Sequence, residues 1–436
     1  MSAPLTPREF AALMAPLGPW PAGRRIAVAC SGGADSLALT LLAAGWGIPL
    51  ALIVDHGLRA TSAAEASDTH ARLAVLGIAA RVLTLRGLTR GPGLAARARA
   101  ARYAALEAAC VEAGLLDLLL GHHLRDQAET VLMRQRRHSG QAGLAGMAPV
   151  SETLAIRFVR PLLPVPPGRL RATLTQAGLP WVEDPSNADP ASLRAALRAE
   201  LSDPAGDGPV VSALAASATA AATARAKRDS ETAALLARRV RLYPAGYAVL
   251  SPGDVPPTAL AALIRMLTGA PYPPRGEALR ALAANPRPAT LAGAQFLPAG
   301  RLGPGLLCVR EAAAMAPPVP ATQGAVWDRR FRLATGAGLP GGTLLGAVGE
   351  DAARLRGHTH LPAAILRTLP ALRHNTALVA VPHIGYGPPS FLACAIGCCP
   401  ATPASGAGFG TWGDAEAQAG PHVGTEGAAA AGARTM

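Results

Sequence analysis

Arg25-Ile26-Ala27-Val28-Ala29-Cys30-Ser31-Gly32-Gly33-Ala34-Asp35-Ser36 is the stretch on which the architecture turns. Its first half is a short apolar run, its middle a glycine turn, and Ser36 to Ala44 has the composition of a helix. Two glycines let a backbone turn tightly and bring its N–H groups against an anion, and the helix behind adds its dipole. Ser31 and Ser36 supply hydroxyl donors, and Asp35 is a candidate to hold magnesium on bound phosphates. The plain alternative is a glycine turn with an Asp/Ser helix cap. Ser31, Gly32, Gly33, Ala34, Asp35 and Ser36 are therefore read as a phosphate-binding turn, one without the GK[ST] ending of a Walker loop.

Outward from this turn, strands and helices alternate. Strands are expected at 49–54, 80–85 and 115–120, with helices at about 63–76, 94–113 and 126–137. Such alternation predicts an α/β fold with a doubly wound parallel sheet, whose ligands sit beyond the carboxyl ends of the strands. A proline-rich joint at 161–167 leads into a basic helical stretch reaching about Arg198, and 202–208 reads as a polar linker. A helix rich in Ala and Arg is expected over 213–240, mixed short elements over 243–316, and a small α+β unit over about 326–387. Beyond Gly387 the Gly/Ala/Pro bias removes any sustained pattern, and disorder is expected for 388–436.

The 436 residues exceed one ordinary domain. A formal charge of +13 favours a polyanionic partner such as RNA or DNA. Lys227 is the only lysine, so 40 of the 41 basic residues are arginine, which coding bias explains as well as phosphate recognition does. Six cysteines form no paired CxxC framework, which fits free thiols in a reducing, cytoplasmic setting. No apolar run is long enough to span a bilayer, and no membrane partner is expected.

Three further segments carry candidate chemistry. Val54-Asp55-His56-Gly57-Leu58-Arg59 closes the second strand, where Asp-His-Gly alone would be an ordinary turn. In Arg97-Ala98-Arg99-Ala100-Ala101-Arg102-Tyr103, Arg99 and Arg102 share a helix face suited to gripping phosphate, although a charge run is usually a solvated face. Gly121-His122-His123-Leu124-Arg125-Asp126-Gln127-Ala128-Glu129-Thr130 follows the fourth strand. Its acids Asp126 and Glu129 would be favoured at any helix start. They also open at a strand's carboxyl end, where paired acids from two loops suit a metal–triphosphate complex.

Taken in order, SGGADS, VDHGLR, ARAARY and GHHxxDQAET resemble the tRNA(Ile)-lysidine synthetase family of PP-loop ATP pyrophosphatases. The likeness extends through Ser139-Gly140, Gly143 to Met147, Arg160-Pro161-Leu162-Leu163 and Trp181 to Asp189, with Arg194 and Arg198 at the family's spacing. The resemblance implies that ATP binds on Ser31 to Ser36 with Asp55 and His56 beside it, and that Asp35 and Asp126 hold Mg2+. It implies adenylation of the wobble cytidine of an isoleucine tRNA with a CAU anticodon, then displacement of AMP by free L-lysine. Asp35, Asp126, Glu129 and Arg102 are the candidate catalytic residues, with Glu129 expected to contact the cationic lysine. On this reading 1–200 is the catalytic domain, 201–316 a tRNA-binding region and 317–387 a small C-terminal domain. Basic helices at 169–198 and 213–241 would hold RNA phosphates.

The chain departs from the pattern at three points. Arg125 stands where the family often has a first acid before DQ, Ala95 where a glutamate often precedes ARxxRY, and His138 in place of the glycine of an RGSG turn. A PP-loop tRNA thiolase, a PP-loop amidotransferase and a non-catalytic, nucleotide-responsive RNA-binding protein remain as alternatives. The sequence leaves the oligomeric state open.

Overall fold

A computed structural model describes residues 2–398 apart from 60, 90, 154, 184–192 and 337. The N-terminal part runs α1 (Pro7–Met14), β1 (Arg25–Ala29), α2 (Ala34–Trp46), β2 (Ile48–Asp55), α3 (Ser62–Val75), β3 (Ala79–Thr84), α4 (Leu94–Glu112) and β4 (Asp117–Leu119). It continues with α5 (Leu124–Arg136), α6 (Gln141–Leu144), β5 (Val150–Glu152), β6 (Arg157–Val159), α7 (Pro167–Gln176) and α8 (Leu193–Leu201). The sheet order is β3-β2-β1-β4-β6-β5, parallel throughout except for the antiparallel β5–β6 pair. This is the doubly wound α/β sheet expected from the alternation.

Strand β1 is apolar from Ile26 to Ala29 because both of its faces are covered there. Ile26 and Val28 enter a core shared with α1, α2 and α7, whereas Ala27 and Ala29 enter another shared with α4. From β1 the chain winds outward through β2 and β3, then returns to place β4 on the other side. The reversal makes the crevice between the carboxyl ends of β1 and β4 the ligand position of such a sheet. The segments 30–36 and 120–126 open there.

Strands β5 and β6 were not expected; three residues each, carrying Glu152 and Arg157, they show no apolar run to read. The basic stretch expected to run to Arg198 is broken after Gln176, where Gly178 adopts a positive φ and Pro180 follows. The 184–189 part of the family resemblance lies outside the described residues.

Helix α9 (Pro209–Arg239) packs along α5 and α6 and leads into the remainder of the chain. There β7 (Val240–Tyr243) and β8 (Tyr247–Leu250) precede α10 (Pro257–Thr268) and α11 (Glu277–Ala284). With β9 (Ala289–Leu291), β10 (Ala294–Pro298) and β11 (Leu306–Arg310) they form a five-stranded sheet, β7-β8-β11-β10-β9. Two small antiparallel sheets follow. One joins β12 (Val319–Pro320), β15 (Thr343–Ala347), β16 (Pro370–His374) and β17 (Ala377–Ala380), with α12 (Ala363–Leu366) between β15 and β16. The other joins β13 (Val326–Trp327), β14 (Phe331–Leu333) and β18 (Ile396–Cys398), the last preceded by α13 (Pro389–Leu392).

Two expectations are corrected here. Residues 388–398 are ordered: β18 pairs with β14, and Phe391, Cys394 and Ile396 pack with Trp327 and Phe331. Their pattern was too short to stand out from the biased composition around it. The boundary near 316 also does not divide a core, because Tyr247, Val249 and Leu307 share one apolar cluster with Val348, Ile365 and Leu369. Residues 399–436, the rest of the tail expected to be disordered, lie outside the described residues.

Candidate functional site

The turn after β1 is closed tightly from behind. Gly32 has φ +82°, and a Cβ on it would stand 2.3 Å from Thr69 Oγ1 of α3, so both conformation and space demand glycine. Its carbonyl accepts a 3.0 Å bond from Val182 N, which straps the segment before α8 across the turn. Ser36 Oγ accepts from Ser31 N at 3.0 Å and donates to Gly33 O at 3.1 Å, which fixes it to the backbone of the turn, and the Ser31 hydroxyl lies 3.2 Å from it. On the neighbouring strand, a Cβ on Gly121 would lie 3.2 Å from the Asp35 backbone. The two loops therefore meet in van der Waals contact, and this brings their acids together.

His123 sits between those acids. It is 2 % exposed, with Nε2 3.4 Å from Asp35 Oδ2 and 3.6 Å from Asp126 Oδ2. Asp126 Oδ2 accepts from His123 N at 3.2 Å, capping α5. Burial would raise the Asp126 carboxyl, yet His123, His122 and Arg194 together hold it below the usual carboxylate range. Burial pushes His122 down to about 4, against the pull of Asp126, so its ring is neutral near pH 7. Asp35 Oδ1 is buried without a hydrogen-bond partner.

Asp35, His122 and His123 line a cavity of about 380 Å³, whereas Asp126 lies behind His123 and is not among the lining residues. Ser31, Gly33, Ala34, Ser36, His56 and Arg102 also line the cavity. Arg102 does so alone of the expected pair; Arg99 instead lies 4.9 Å over the Tyr103 ring and donates to its hydroxyl at 3.2 Å. Burial, helped by Arg99, draws the Arg102 guanidinium below its ordinary value. Asp55 is not among the lining residues. It accepts from Ser62 Oγ at 2.6 Å and Gly57 N at 2.9 Å, so its carboxylate shapes the turn that presents His56.

Glu129 differs from its expected role. It is fully buried and absent from the cavity wall; Arg198 Nε donates to it at 2.7 Å, and Arg194 stands 3.7 Å away. The carboxylate is thus ion-paired with α8, although its Oε2 makes no hydrogen bond. Arg169 is likewise spent on the N-terminus, donating to Glu9 Oε1 at 2.8 Å and to the Ala3 and Pro4 carbonyls, and does not await RNA. Conversely, Ser62, Glu65 and Arg171 line the cavity without having been singled out, beside Arg59 of the VDHGLR segment and Glu183 of the 181–189 match. The Ser62-x-x-Glu65 spacing at a helix start was the available signal for two of them.

Among the described residues no group of three or more His, Cys, Asp or Glu could hold a metal unaided. Cys30 and Cys110 are buried in different cores; burial raises both thiols, Cys110 to about 12.

The PP-loop domain family (ATP_bind_3) matches residues 5–204. The chain is similar to the tRNA(Ile)-lysidine synthase of Ruegeria pomeroyi, 36% identical over 382 residues, 83% of this chain and 89% of that protein. It is 44% identical to that of Bradyrhizobium diazoefficiens over 214 residues, 48% of this chain and 58% of the relative. For Ralstonia nicotianae the figures are 42% over 257 residues, 56% and 54%. The chain thus spans little more than half the length of these last two relatives. Among solved structures, the U34-tRNA thiolase NcsA from Methanococcus maripaludis aligns with TM-score 0.41 and 16% identity over 49% of this chain and 78% of that one, too loosely to bear on activity.

Proposed function

Because the chain belongs to the tRNA(Ile)-lysidine synthase family, we propose that it ligates free lysine to the 2-position of the wobble cytidine in isoleucine tRNA with a CAU anticodon, consuming ATP. The observation that supports this most is the contact between the SGGADS turn and the start of α5, which gathers Asp35, His123 and Asp126 beside one polar cavity. In the proposed reaction the cytidine O2 attacks the α-phosphorus of ATP, and the bond to pyrophosphate breaks. The lysine side-chain amine then attacks C2, loses a proton, and AMP departs with the oxygen. Such a transfer needs positioning and charge neutralisation more than a protein nucleophile.

The chain's own groups divide this work. Ser31, Ser36 and the N–H groups of the turn hold phosphate oxygens, and Arg102 adds a cation from α4. Asp35, whose Oδ1 lacks a partner, and Asp126 would hold Mg2+, which neutralises phosphate charge when bound. Glu129 acts as a positioning residue that fixes Arg198, and Asp55 as one that fixes the His56 turn. Residues 1–200 are the proposed catalytic unit, and α9 with the sheets beyond it the tRNA-recognition part. The buried, raised thiols of Cys30 and Cys110 count against a thiolase. Protein, ATP, labelled lysine and total tRNA are expected to give RNA-bound label with AMP as the spent nucleotide; ADP as the main product would overturn the proposal.

A further inference from the structure

We infer that Arg125 and Arg171 form a second anion site in the wall of the cavity, distinct from the SGGADS turn, whose ligand is a backbone phosphate of the RNA substrate; this rests on the tRNA reading above. Arg125 belongs to the first turn of α5, and its side chain is only 11 % exposed. Its bonds are nonetheless poor. Nε is buried with no hydrogen-bond partner, and Glu129 Oε1 stands 3.9 Å from it. Nη1 reaches only the Asp203 and Pro204 carbonyls, each at 3.4 Å. Arg171 of α7 comes to the same Pro204 carbonyl, also at 3.4 Å, and lines the same cavity. A buried guanidinium with unfilled N–H groups costs stability unless a ligand fills them.

Charge and position select the ligand. Arg125, Arg171, Arg194 and Arg198 are set against Asp126 and Glu129, and Glu129 is already bonded to Arg198. Asp35 also acts on Arg198, so the four guanidiniums exceed the three carboxylates by one positive charge, carried in planar forks that match phosphate oxygens. The carbonyls that Arg125 and Arg171 share belong to the segment between α8 and α9. Asp203 in that segment accepts from Gly208 N at 2.7 Å, and Gly208 caps α9. The two guanidiniums therefore stand where the PP-loop domain passes into a helix carrying Arg225, Lys227 and Arg228. A polyanionic chain that enters the cavity and continues along α9 meets both features, whereas a lone nucleotide on the SGGADS turn meets one.

The test uses the full chain with Arg125→Gln, Arg125→Lys and Arg171→Ala. Filter binding of unmodified tRNA over a salt series is measured beside KM values for tRNA, ATP and lysine. Arg125→Gln is expected to weaken tRNA binding about tenfold and to lower the salt slope by about one, the share of one phosphate contact. KM for ATP and for lysine should move less than about twofold, and Arg125→Lys should recover most of the binding. A rise confined to the KM of ATP would assign the guanidinium to the nucleotide, and one confined to lysine to the amino-acid carboxylate; either overturns the inference. Unchanged tRNA affinity and slope with a lower Tm would reduce Arg125 to a clamp on 203–208. Failure of the unsubstituted protein to bind tRNA would instead overturn the tRNA reading itself.

Discussion

The molecule holds two buried arginine–carboxylate clusters that are bonded very differently. In the first, Asp328 is set between Arg310 and Arg330, and every guanidinium nitrogen has an acceptor except Arg330 Nη2, which is ion-paired with Asp328 at 2.9 Å without a hydrogen bond. Arg310 donates to Asp328 and to the Gly293 and Ala314 carbonyls; Arg330 donates to Asp328 at 3.0 Å and to Gly246 O at 3.0 Å. In the second, around Asp126 and Glu129, guanidiniums outnumber carboxylates and Arg125 is left with long contacts. The first ties β11 and β14 to the turn between β7 and β8, and the second lends Arg125 and Arg198 to the wall of a cavity. Burial of charge alone does not mark a site; incomplete satisfaction beside open space does.

The largest expected effect concerns the frame around the first cluster. Stopping the chain after Gly387 removes α13 and β18 and uncovers Trp327 and Phe331. The loss of buried Phe391 and Ile396 alone is expected to cost about 3–6 kcal/mol, seen as a lowered Tm. An unchanged Tm would show that this segment is not part of the fold. Within the cluster, Asp328→Ala leaves two buried guanidiniums without their counter-ion and should cost about 3–5 kcal/mol in denaturant unfolding. The residual activity per folded molecule should stay near normal. Equal stability with lost turnover would reverse the roles given to the two clusters.

The second cluster should respond in the opposite way. Asp35→Asn and Asp126→Asn are each expected to lower turnover about 10²-fold or more, with Tm little changed. Near-normal turnover in Asp126→Asn would remove it from the chemistry. The smallest effect lies at the end of α5, where His138 holds φ +49°. His138→Gly relieves left-handed strain and should stabilise by about 1 kcal/mol without altering KM for ATP. Destabilisation would mean that the imidazole makes contacts worth more than the strain.

The sheet was legible because β1 to β4 and their helices repeat a strong local pattern, and because glycine at 32 leaves a sequence mark of a tight turn. The acids Asp35 and Asp126 could be placed together from strand topology alone. What could not be read was which polar side chains were already spent. Asp55, Glu129 and Arg169 look like free functional groups in sequence, and each is consumed by a partner that the fold supplies: Ser62, Arg198 and Glu9. Strand β18 escaped for a related reason, since three residues acquire meaning only through pairing with β14.

The most direct measurement is a stoichiometry. Purified isoleucine tRNA with a CAU anticodon, and methionine tRNA with the same three bases, are each incubated with the protein, labelled ATP and labelled lysine. Lysine bound to RNA is counted against AMP released. The protein is expected to release one AMP per lysine on the isoleucine tRNA and to give neither product from the methionine tRNA. Its selectivity must come from contacts outside the shared wobble cytidine, each worth roughly 1–3 kcal/mol. AMP without RNA-bound lysine, or equal labelling of both tRNAs, would contradict the proposed function.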